Sequence, residues 1–359
     1  MNGPERSRAG GAAAPPEPPP TPSTPPTSST LAALSTLASL RARLTGRLAD
    51  RGYAAGWALV RQLPEGVVRR VFQAIADAAW WRRGRSVRRL EANLARVLGT
   101  TVQEPRLREL SRAAMRSYLR YWREAFRLPE WSAERIVSTL HTVDEHRLHE
   151  ALARGRGAVV ALPHMANWDH AGAWAVASGI PFTTVAERLK PESLFDRFVA
   201  YRVGLGMEVL PLTGGTADVF GTLSRRLRAG RMVCLLGDRD LTVTGVEVSF
   251  FGGRARMPAG PAALALHTGA ALIPVTLWYD ADGTHVWFHP EVRVPGTAAG
   301  RGGRDAQVAA MTQAAADVFA RGIAEHPEDW HMLQRLWIDE GPGHRDRPGE
   351  PADRPVSTP

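Results

Sequence analysis

The second half of the chain alternates between short apolar runs and amphipathic segments. Helical patterns at about 168–178, 191–204, 216–229 and 259–268 separate several of the apolar runs, and a further helix is predicted at about 304–325. The runs predict strands, because they are short and rich in β-branched and aromatic residues: AVVAL, FTTVA, MEVLP, MVCLL, VEVSFF, ALIPVTLWY and HVWFHPEVRV. This alternation indicates an α/β fold, a mainly parallel central sheet flanked by helices.

The first half of the chain is patterned as helices up to about residue 155. Its first helix would be amphipathic and basic, because leucines recur every three or four residues with arginines between them: Leu31, Leu34, Leu37, Leu40, Leu44 and Leu48. Such a helix either lies in a membrane interface beside anionic lipid or packs on the domain. We interpret Trp80, Trp81 and Trp122 as core residues, with interfacial anchoring as the alternative.

Composition sets the domain limits. Residues 1–30 are dominated by Pro, Ser, Thr, Gly and Ala, and residues 341–359 are similarly polar and Pro-rich, so we expect two disordered tails around one domain at 31–340. The first tail lacks the apolar segment of a signal peptide. The uncharged stretch 257–279 is long enough to span a bilayer, but Gly and Pro interrupt it. A short helix followed by a strand is predicted there, and no transmembrane helix.

Charge and cysteine content narrow the classes of partner. The single cysteine, Cys234, excludes an intrachain disulfide and suits a reducing compartment. The formal net charge is +9, and Lys190 is the only lysine. A basic surface suits nucleic acid, phospholipid headgroups or phosphorylated cofactors, although Arg in place of Lys also follows from a GC-rich genome. Because the arginines are spread along the chain and no nucleic-acid motif is present, we do not expect a nucleic-acid partner.

An imidazole and a carboxylate follow the strand AVVAL. His164 comes directly after the strand and Pro163, and Asp169 lies five residues later. Asn167 suits an N-cap, which would place Asp169 in the first helical turn, where the positive helix end favours an ionised carboxylate. An ionised carboxylate near an imidazole fixes its tautomer and stabilises the imidazolium. This describes a general base for a hydroxyl, although H-x4-D spacing also arises by chance.

A second strand end repeats the arrangement. MVCLL is followed by GDRDL, which puts Asp238 at the position equivalent to His164. In open α/β sheets, reactive groups gather beyond the carboxyl ends of strands, so a second carboxylate near the imidazole is plausible. The alternative is that Asp238 caps a loop or pairs with Arg239.

Other site motifs are weak. The sequence has no GxGxxG, no Walker A and no GxSxG in a convincing context, and the Gly-Gly turn of VLPLTGGTADVF is a common feature. His164, His170, Asp169, Asp238 and Asp240 match no trusted metal-binding spacing, so we expect no metal site.

Several stretches resemble a known family. ALPHMANWDHAGAW resembles the H-x4-D/E motif of glycerolipid and lipid A acyltransferases, whose fold the chain would share. From about 50 to 338, further stretches are similar, in the same order, to actinobacterial phosphatidylinositol mannoside acyltransferases: GYAAGWALVRQLPE, RRLEANLARVLG, YLRYWREAFRLP, TTVAERLKPESLFDRFVAYR, GVEVSFF with ARMPAGPAALA, and HPEDWHMLQRLW.

The resemblance implies a reaction and catalytic roles. It implies transfer of a palmitoyl group from its coenzyme A thioester to the 6-hydroxyl of the mannose on inositol O-2, with acyl-CoA as co-substrate and no cofactor. His164 would deprotonate the hydroxyl, and Asp169 would support the site. Asp238 takes the place of a glutamate of the close relatives, and its shorter side chain puts its reach to His164 in question.

The resemblance also implies contacts with substrates and membrane. Arg202 would neutralise an anionic lipid or a charge near the thioester, and Thr244 and His267 fall where the relatives contact acyl-CoA. The acceptor would be a phosphatidylinositol mannoside, and the enzyme would sit peripherally on an anionic membrane surface at the cytoplasmic face. The alternatives are an acyltransferase acting on another glycolipid of the lipid A type, and a non-catalytic lipid- or nucleic-acid-binding protein.

Overall fold

The computed structural model describes residues 56–57, 59–187, 192–212, 218–240, 244–296 and 301–338. The predicted basic helix at 31–48 and both predicted tails lie outside these residues.

Helices and strands alternate through most of the described chain. The helices are α1 Glu65–Arg82, α2 Arg85–Leu98, α3 Pro105–Arg127, α4 Ala133–Ser138, α5 His146–Ala153, α6 Trp168–Ala177, α7 Glu192–Gly204, α8 Val219–Arg228, α9 Gly260–Thr268 and α10 Arg301–Glu325. The strands are β1 Leu140–Val143, β2 Ala158–Leu162, β3 Phe182–Ala186, β4 Glu208–Pro211, β5 Met232–Leu236, β6 Val246–Phe250, β7 Gly253–Met257, β8 Ala271–Tyr279 and β9 Thr284–Phe288.

The central sheet has seven strands in the order β1-β9-β8-β2-β5-β3-β4, and β6 and β7 form a separate antiparallel pair. Within the central sheet only the β8–β9 pair is antiparallel. The predicted mainly parallel α/β sheet flanked by helices is therefore confirmed. One edge carries the carboxyl ends of β8, β2, β5, β3 and β4. Because β9 turns back and β1 runs alongside it, the amino ends of β9 and β1 lie at this edge too.

Two strands were missed by the sequence analysis, β1 and β7; β7 pairs antiparallel with β6, which was predicted. The stretch expected to be helical up to about 155 contains β1, which is four residues long and carries His141 and Thr142 on partly exposed positions. β1 could not be recognised from the sequence because it is short and lacks a continuous apolar run. It pairs with β9 in the structure. The run HVWFHPEVRV also ends as a strand at Phe288, before Pro290, which cannot donate a ladder hydrogen bond.

The apolar stretch 257–279 contains α9 and β8, as predicted. None of the helices in the described ranges combines the length and apolar character needed to cross a bilayer. Among the tryptophans, Trp80 and Trp122 are half-buried and pack on hydrophobic cores, which confirms the core interpretation for both. Trp81 is 77% exposed, so the core interpretation is wrong there.

Candidate active site

The strand register sets the two strongest candidate side chains next to each other. β2 and β5 pair in parallel with Leu162 opposite Leu236, and the amide of Gly237 donates to the carbonyl of Leu162 at 2.8 Å. His164 and Asp238 each lie two residues beyond these paired strand ends. Two neighbouring parallel strands therefore deliver an imidazole and a carboxylate to the same point of the carboxyl edge.

Asp238 contacts His164 through both carboxylate oxygens. Oδ1 lies 2.6 Å from Nδ1 of the imidazole, and Oδ2 accepts the backbone N–H of His164 at 3.0 Å. Trp330 Nε1 also donates to Oδ2 at 3.0 Å. The side chain of Asp238 is 0% exposed. Burial alone would raise its pKa, but the charge of His164 and these hydrogen bonds lower it, so the carboxylate stays ionised. The aspartate side chain is long enough to reach the histidine.

The outer side of the imidazole is open for chemistry. The His164 side chain is 27% exposed, and no residue in the described part of the chain forms a hydrogen bond with its Nε2. With Asp238 accepting at Nδ1, the proton of the neutral ring sits on Nδ1 and the lone pair on Nε2. The indole of Trp168 packs edge-on at 5.4 Å between ring centroids and limits rotation of the imidazole. The geometry is that of an oriented general base.

A segment near the end of the described chain fixes the backbone around His164. Trp330 forms an isolated antiparallel bridge with Met165. The amide of Ala166 donates to the carbonyl of Asp329 at 2.9 Å, and the carbonyl of His164 accepts the amide of His331 at 2.8 Å. Ala166 has φ of 44°, a left-handed conformation that costs energy for a residue with Cβ. The segment 329–331 therefore holds a strained turn directly beside the imidazole.

The second residue of the H-x4-D motif faces elsewhere. Asn167 caps α6 by accepting the amide of His170 at 2.9 Å, and Asp169 lies in the first turn, both as predicted. Oδ1 of Asp169 accepts from Nε of Arg202 at 2.7 Å, and Oδ2 accepts from the hydroxyl of Tyr121 at 2.9 Å. The expectation that Asp169 orients the imidazole is corrected: Asp238 holds Nδ1, and Asp169 holds an arginine.

Arg202 is enclosed with its carboxylate partner. Burial alone would lower its pKa, but Asp169 raises it above the ordinary value, so the guanidinium stays charged. The pKa of Tyr121 is raised well above its ordinary value, first by burial and then by Asp169, which keeps its hydroxyl a donor. Arg202 thus already has a counterion inside the protein, and its contact with an anionic substrate stays a prediction.

The structure does not bring His267 close to His164. His267 lies at the end of α9, just before β8 begins, and the register of β2 with β8 puts that point at the amino edge of the sheet. It is exposed and its Nε2 lies 2.8 Å from Nη2 of Arg228. Thr244 is exposed and lies two residues before the start of β6. Contact of either residue with acyl-CoA stays a prediction.

The five residues considered above for a metal do not converge. His170 is buried, with Nδ1 3.0 Å from Thr284 Oγ1 and Nε2 3.0 Å from the carbonyl of Ile136. Burial lowers its pKa, so it is a neutral structural histidine. His170 is one of the residues that line a cavity of about 510 Å³. Its lining includes several arginines: Arg69, Arg116, Arg120, Arg123 and Arg135.

Sequence analysis assigned no role to Trp330, Asp329 or Tyr121. All three lie in stretches on which the family resemblance rests, YLRYWREAFRLP and HPEDWHMLQRLW. They are far from His164 in sequence, and nothing in the periodicity marks them. For Asp329 and Trp330 the available signal was a polar and aromatic stretch without strand or helix pattern, whereas Tyr121 lies in a stretch predicted to be helical.

Comparison of the sequence with known proteins shows the family to which the chain belongs. Residues 39–338 match the family model described as bacterial lipid A biosynthesis acyltransferase. The chain is 51% identical over 298 residues to a phosphatidylinositol mannoside acyltransferase of Mycolicibacterium smegmatis, covering 83% of this chain and 94% of the relative. It is 49% identical over 303 residues to the protein of the same description in Mycobacterium tuberculosis, covering 83% and 91%. The chain therefore belongs to the bacterial lipid A biosynthesis acyltransferase family and is an O-acyltransferase.

Proposed function

We propose that this enzyme transfers a palmitoyl group from palmitoyl-CoA to the 6-hydroxyl of the mannose on inositol O-2 of a phosphatidylinositol mannoside, with His164 as general base. The observation that carries the proposal is the open Nε2 of His164 together with the buried Asp238 behind it. The acceptor follows from the names of the two relatives, which match this chain over most of their length.

The catalytic step uses one proton and one acyl bond. Nε2 of His164 takes the proton of the mannose hydroxyl while its oxygen attacks the thioester carbonyl carbon. The carbonyl oxygen becomes an oxyanion in the tetrahedral intermediate, which collapses with cleavage of the C–S bond. The coenzyme A thiolate leaves and takes the proton back from the imidazolium, so the base is regenerated without an acyl-enzyme. Asp238 contributes by stabilising the imidazolium while the proton is held.

Supporting contacts keep the base in place throughout this cycle. Trp330 and the His164 amide anchor one oxygen of Asp238, which leaves the other oxygen facing Nδ1. Because the carboxylate is fixed by donors on neighbouring elements, the ring needs little reorganisation when it becomes charged. General base catalysis of this kind accounts for about 100- to 10,000-fold in rate.

Peripheral binding at the cytoplasmic face of the membrane is part of the proposal. On α1, Val67, Val71 and Ile75 are exposed and recur every fourth residue, so they form one apolar stripe. Arginines are interspersed on the same helix at Arg69 and Arg70. An apolar stripe with adjacent cations favours an anionic bilayer surface. The Val71→Asp variant should then bind less to vesicles containing anionic lipid in a flotation assay, without change in its circular dichroism.

The activity is tested with purified phosphatidylinositol mono- and dimannoside and palmitoyl-CoA. Mass spectrometry should find one added acyl chain with the wild type, NMR should place it on the 6-hydroxyl, and His164→Ala should form almost no product. The matched control is His149→Ala, which removes an exposed histidine on α5 and should retain full activity.

Assays with other acceptors and other acyl donors test the acceptor and donor assignments of the proposal. Transfer by the folded wild type to a lipid A-type acceptor, with none to either mannoside, would overturn the acceptor assignment and leave the base assignment intact. Product formation that persists undiminished in His164→Ala would overturn the role of His164. Transfer that requires an acyl carrier protein in place of coenzyme A would overturn the donor.

A further inference from the structure

A second cluster of ionisable side chains lies at the edge of the sheet that β1 and β9 form. His141 on β1 and His285 on β9 are direct partners in the parallel register. Asp282 lies in the turn between β8 and β9, and its two carboxylate oxygens face one imidazole each. Neither the proposed acyl transfer nor the match to the family assigns these residues a role.

The distances fit a small metal ion. Nε2 of His141 lies 3.2 Å from Oδ2 of Asp282, and Nε2 of His285 lies 3.1 Å from Oδ1. One ligand atom from each residue lies within 4.8 Å of the other two. Ligand atoms around tetrahedral zinc are separated by about 3.4 Å, given bonds of about 2.1 Å. Small rotations of the rings therefore suffice to surround an ion.

The surroundings of His141 Nε2 give a second reason, besides the ligand distances, to consider His141 a metal ligand. Its Nε2 is shielded from solvent and, in the part of the chain that the structure describes, has no hydrogen-bond partner. Although Asp282 is close, the pair lacks hydrogen-bond geometry. A buried ring nitrogen without a hydrogen bond is energetically costly, and coordination to a metal would satisfy it.

Stacking orients the imidazoles before any ion binds. The ring of His285 lies between His141, at 4.8 Å between centroids, and Trp278, at 4.9 Å and nearly parallel. Trp278 stacks in turn on His326 at 4.8 Å. Arg120 donates to the carbonyls of residues 280 and 283 and so fixes the turn that carries Asp282. Orientation by neighbouring groups raises the affinity of a metal site.

We propose that His141, Asp282 and His285 form a binding site for a divalent transition-metal ion, with zinc the best match to two imidazoles and one carboxylate. Three protein ligands leave one tetrahedral position for water or another oxygen ligand. Asp282 also lines the cavity described above, so the fourth position is open to a molecule that enters from that cavity. Bound zinc would tie the β8–β9 turn to β1.

The test uses the full chain without a histidine tag, first dialysed against a chelator. Zinc titrated by calorimetry should bind with one equivalent per chain at this site, and cobalt should give the visible absorption bands of four-coordinate Co²⁺. Asp282→Asn and His141→Gln should each weaken zinc binding at least about tenfold and remove the cobalt bands. Zinc should also raise the melting temperature of the wild type, and not that of either variant.

A matched control separates this cluster from ordinary surface pairs. His149 and Glu145 form another histidine–carboxylate pair, 2.9 Å apart on an exposed surface, and His149→Gln should bind zinc as the wild type does. Asp282 is 62% exposed in a turn, so Asp282→Asn should fold normally, which its circular dichroism in the absence of metal checks. A wild type that binds no zinc, or zinc binding equal in wild type and both cluster variants, would overturn the proposal.

Discussion

The two carboxylates of the candidate active site, Asp238 and Asp169, are both buried and both paired with a basic side chain, but the pairs are built differently. Asp238 holds an imidazole that is 27% exposed and has an open nitrogen. Asp169, 2% exposed, holds the enclosed guanidinium of Arg202 and accepts a third hydrogen bond from Tyr121. The first pair leaves a ring nitrogen open to a substrate, while the second is closed off by its own partners.

Because the two pairs differ, the two residues of the H-x4-D motif have different proposed roles: His164 takes part in the reaction, and Asp169 positions structural elements. H-x4-D places His164 and Asp169 together in sequence, yet they take partners from different elements: β5 for the histidine and α3 with α7 for the aspartate. The first partner orients the proposed base, and the second ties the first turn of α6 to two helices. Variants of the first pair should therefore affect rate, and variants of the second pair should affect stability.

Replacing His164 with Ala is expected to have the largest effect. It removes the only group of the first pair that can accept the substrate proton, so kcat should fall by about 100- to 10,000-fold. Unfolding by urea should change less than in Asp169→Ala, because Asp238 keeps the hydrogen bonds from the amide of residue 164 and from the Trp330 indole. If the free energy of unfolding of His164→Ala fell in proportion to its kcat, the distinction between a reactive pair and a structural pair would be wrong.

Asp169→Ala should act on stability. It leaves Arg202 enclosed without its counterion and Tyr121 without its acceptor, which should cost about 3–5 kcal/mol in the free energy of unfolding. Urea denaturation followed by circular dichroism measures this. The control is Asp77→Ala, which removes a more exposed carboxylate paired with Arg112 and Arg116 and should cost far less. Equal losses in the two variants would contradict the assignment.

Asp238→Asn tests whether the acid orients the base. If the amide nitrogen faces Nδ1, the ring proton moves to Nε2 and the base is lost. If the amide oxygen faces Nδ1, its nitrogen meets two donors, the His164 amide and the Trp330 indole. Either arrangement should lower kcat by roughly 100-fold with less change in KM. A variant that keeps wild-type kcat would show that the carboxylate is only structural.

The fold could be predicted from the sequence because its signals are local. The runs for β2, β3, β5 and β8 are apolar, short and separated by helices, so their assignment needed no tertiary information. β1 was missed because a four-residue strand with a half-polar pattern carries little signal of its own, and its ladder partner is β9. That neighbour lies far along the chain, and its register cannot be read from periodicity.

The site was only partly predictable for a related reason. Equivalent positions beyond two strands suggested that His164 and Asp238 are neighbours, since parallel strand ends meet at one edge. The partner of Asp169 was misjudged because sequence proximity to His164 does not fix the direction of a side chain in a helical turn. Trp330 reaches Asp238 across 92 positions of sequence, and only the family resemblance drew attention to its segment.

Asp329 is a third buried carboxylate, and it extends the comparison because no residue in the described part of the chain forms an ion pair with it. It accepts from the Ser117 hydroxyl at 2.5 Å and from the Tyr279 amide at 2.7 Å, both neutral donors. Burial raises its pKa to about 6, although these hydrogen bonds act in the opposite direction. Asp238, equally enclosed but beside a histidine, has a lowered pKa. The partner of each carboxylate, and not its burial, therefore decides whether its pKa is raised or lowered.

This gives the smallest predicted effect, in the pH dependence of stability. Because the folded pKa of Asp329 lies above the unfolded value of 3.8, the folded state binds more protons between about pH 4 and 6, and its contribution to stability falls as pH rises through that range. His331 acts oppositely: burial lowers its pKa to about 3, so its contribution falls as pH decreases below about 6.5. Comparing wild type with Asp329→Asn isolates the first contribution.

Relative to the wild type, Asp329→Asn should gain on the order of 2 kcal/mol in unfolding free energy as the pH is raised from 4 to 7. Urea titrations at several pH values measure the difference, and Asp317→Asn, an exposed carboxylate on α10, should show none. A difference that stays flat with pH would mean that Asp329 is charged throughout. The Ser117 hydroxyl and the Tyr279 amide would then stabilise the charge of Asp329 to the same degree that His164 stabilises the charge of Asp238. The lack of a cationic partner would no longer distinguish Asp329 from Asp238 and Asp169.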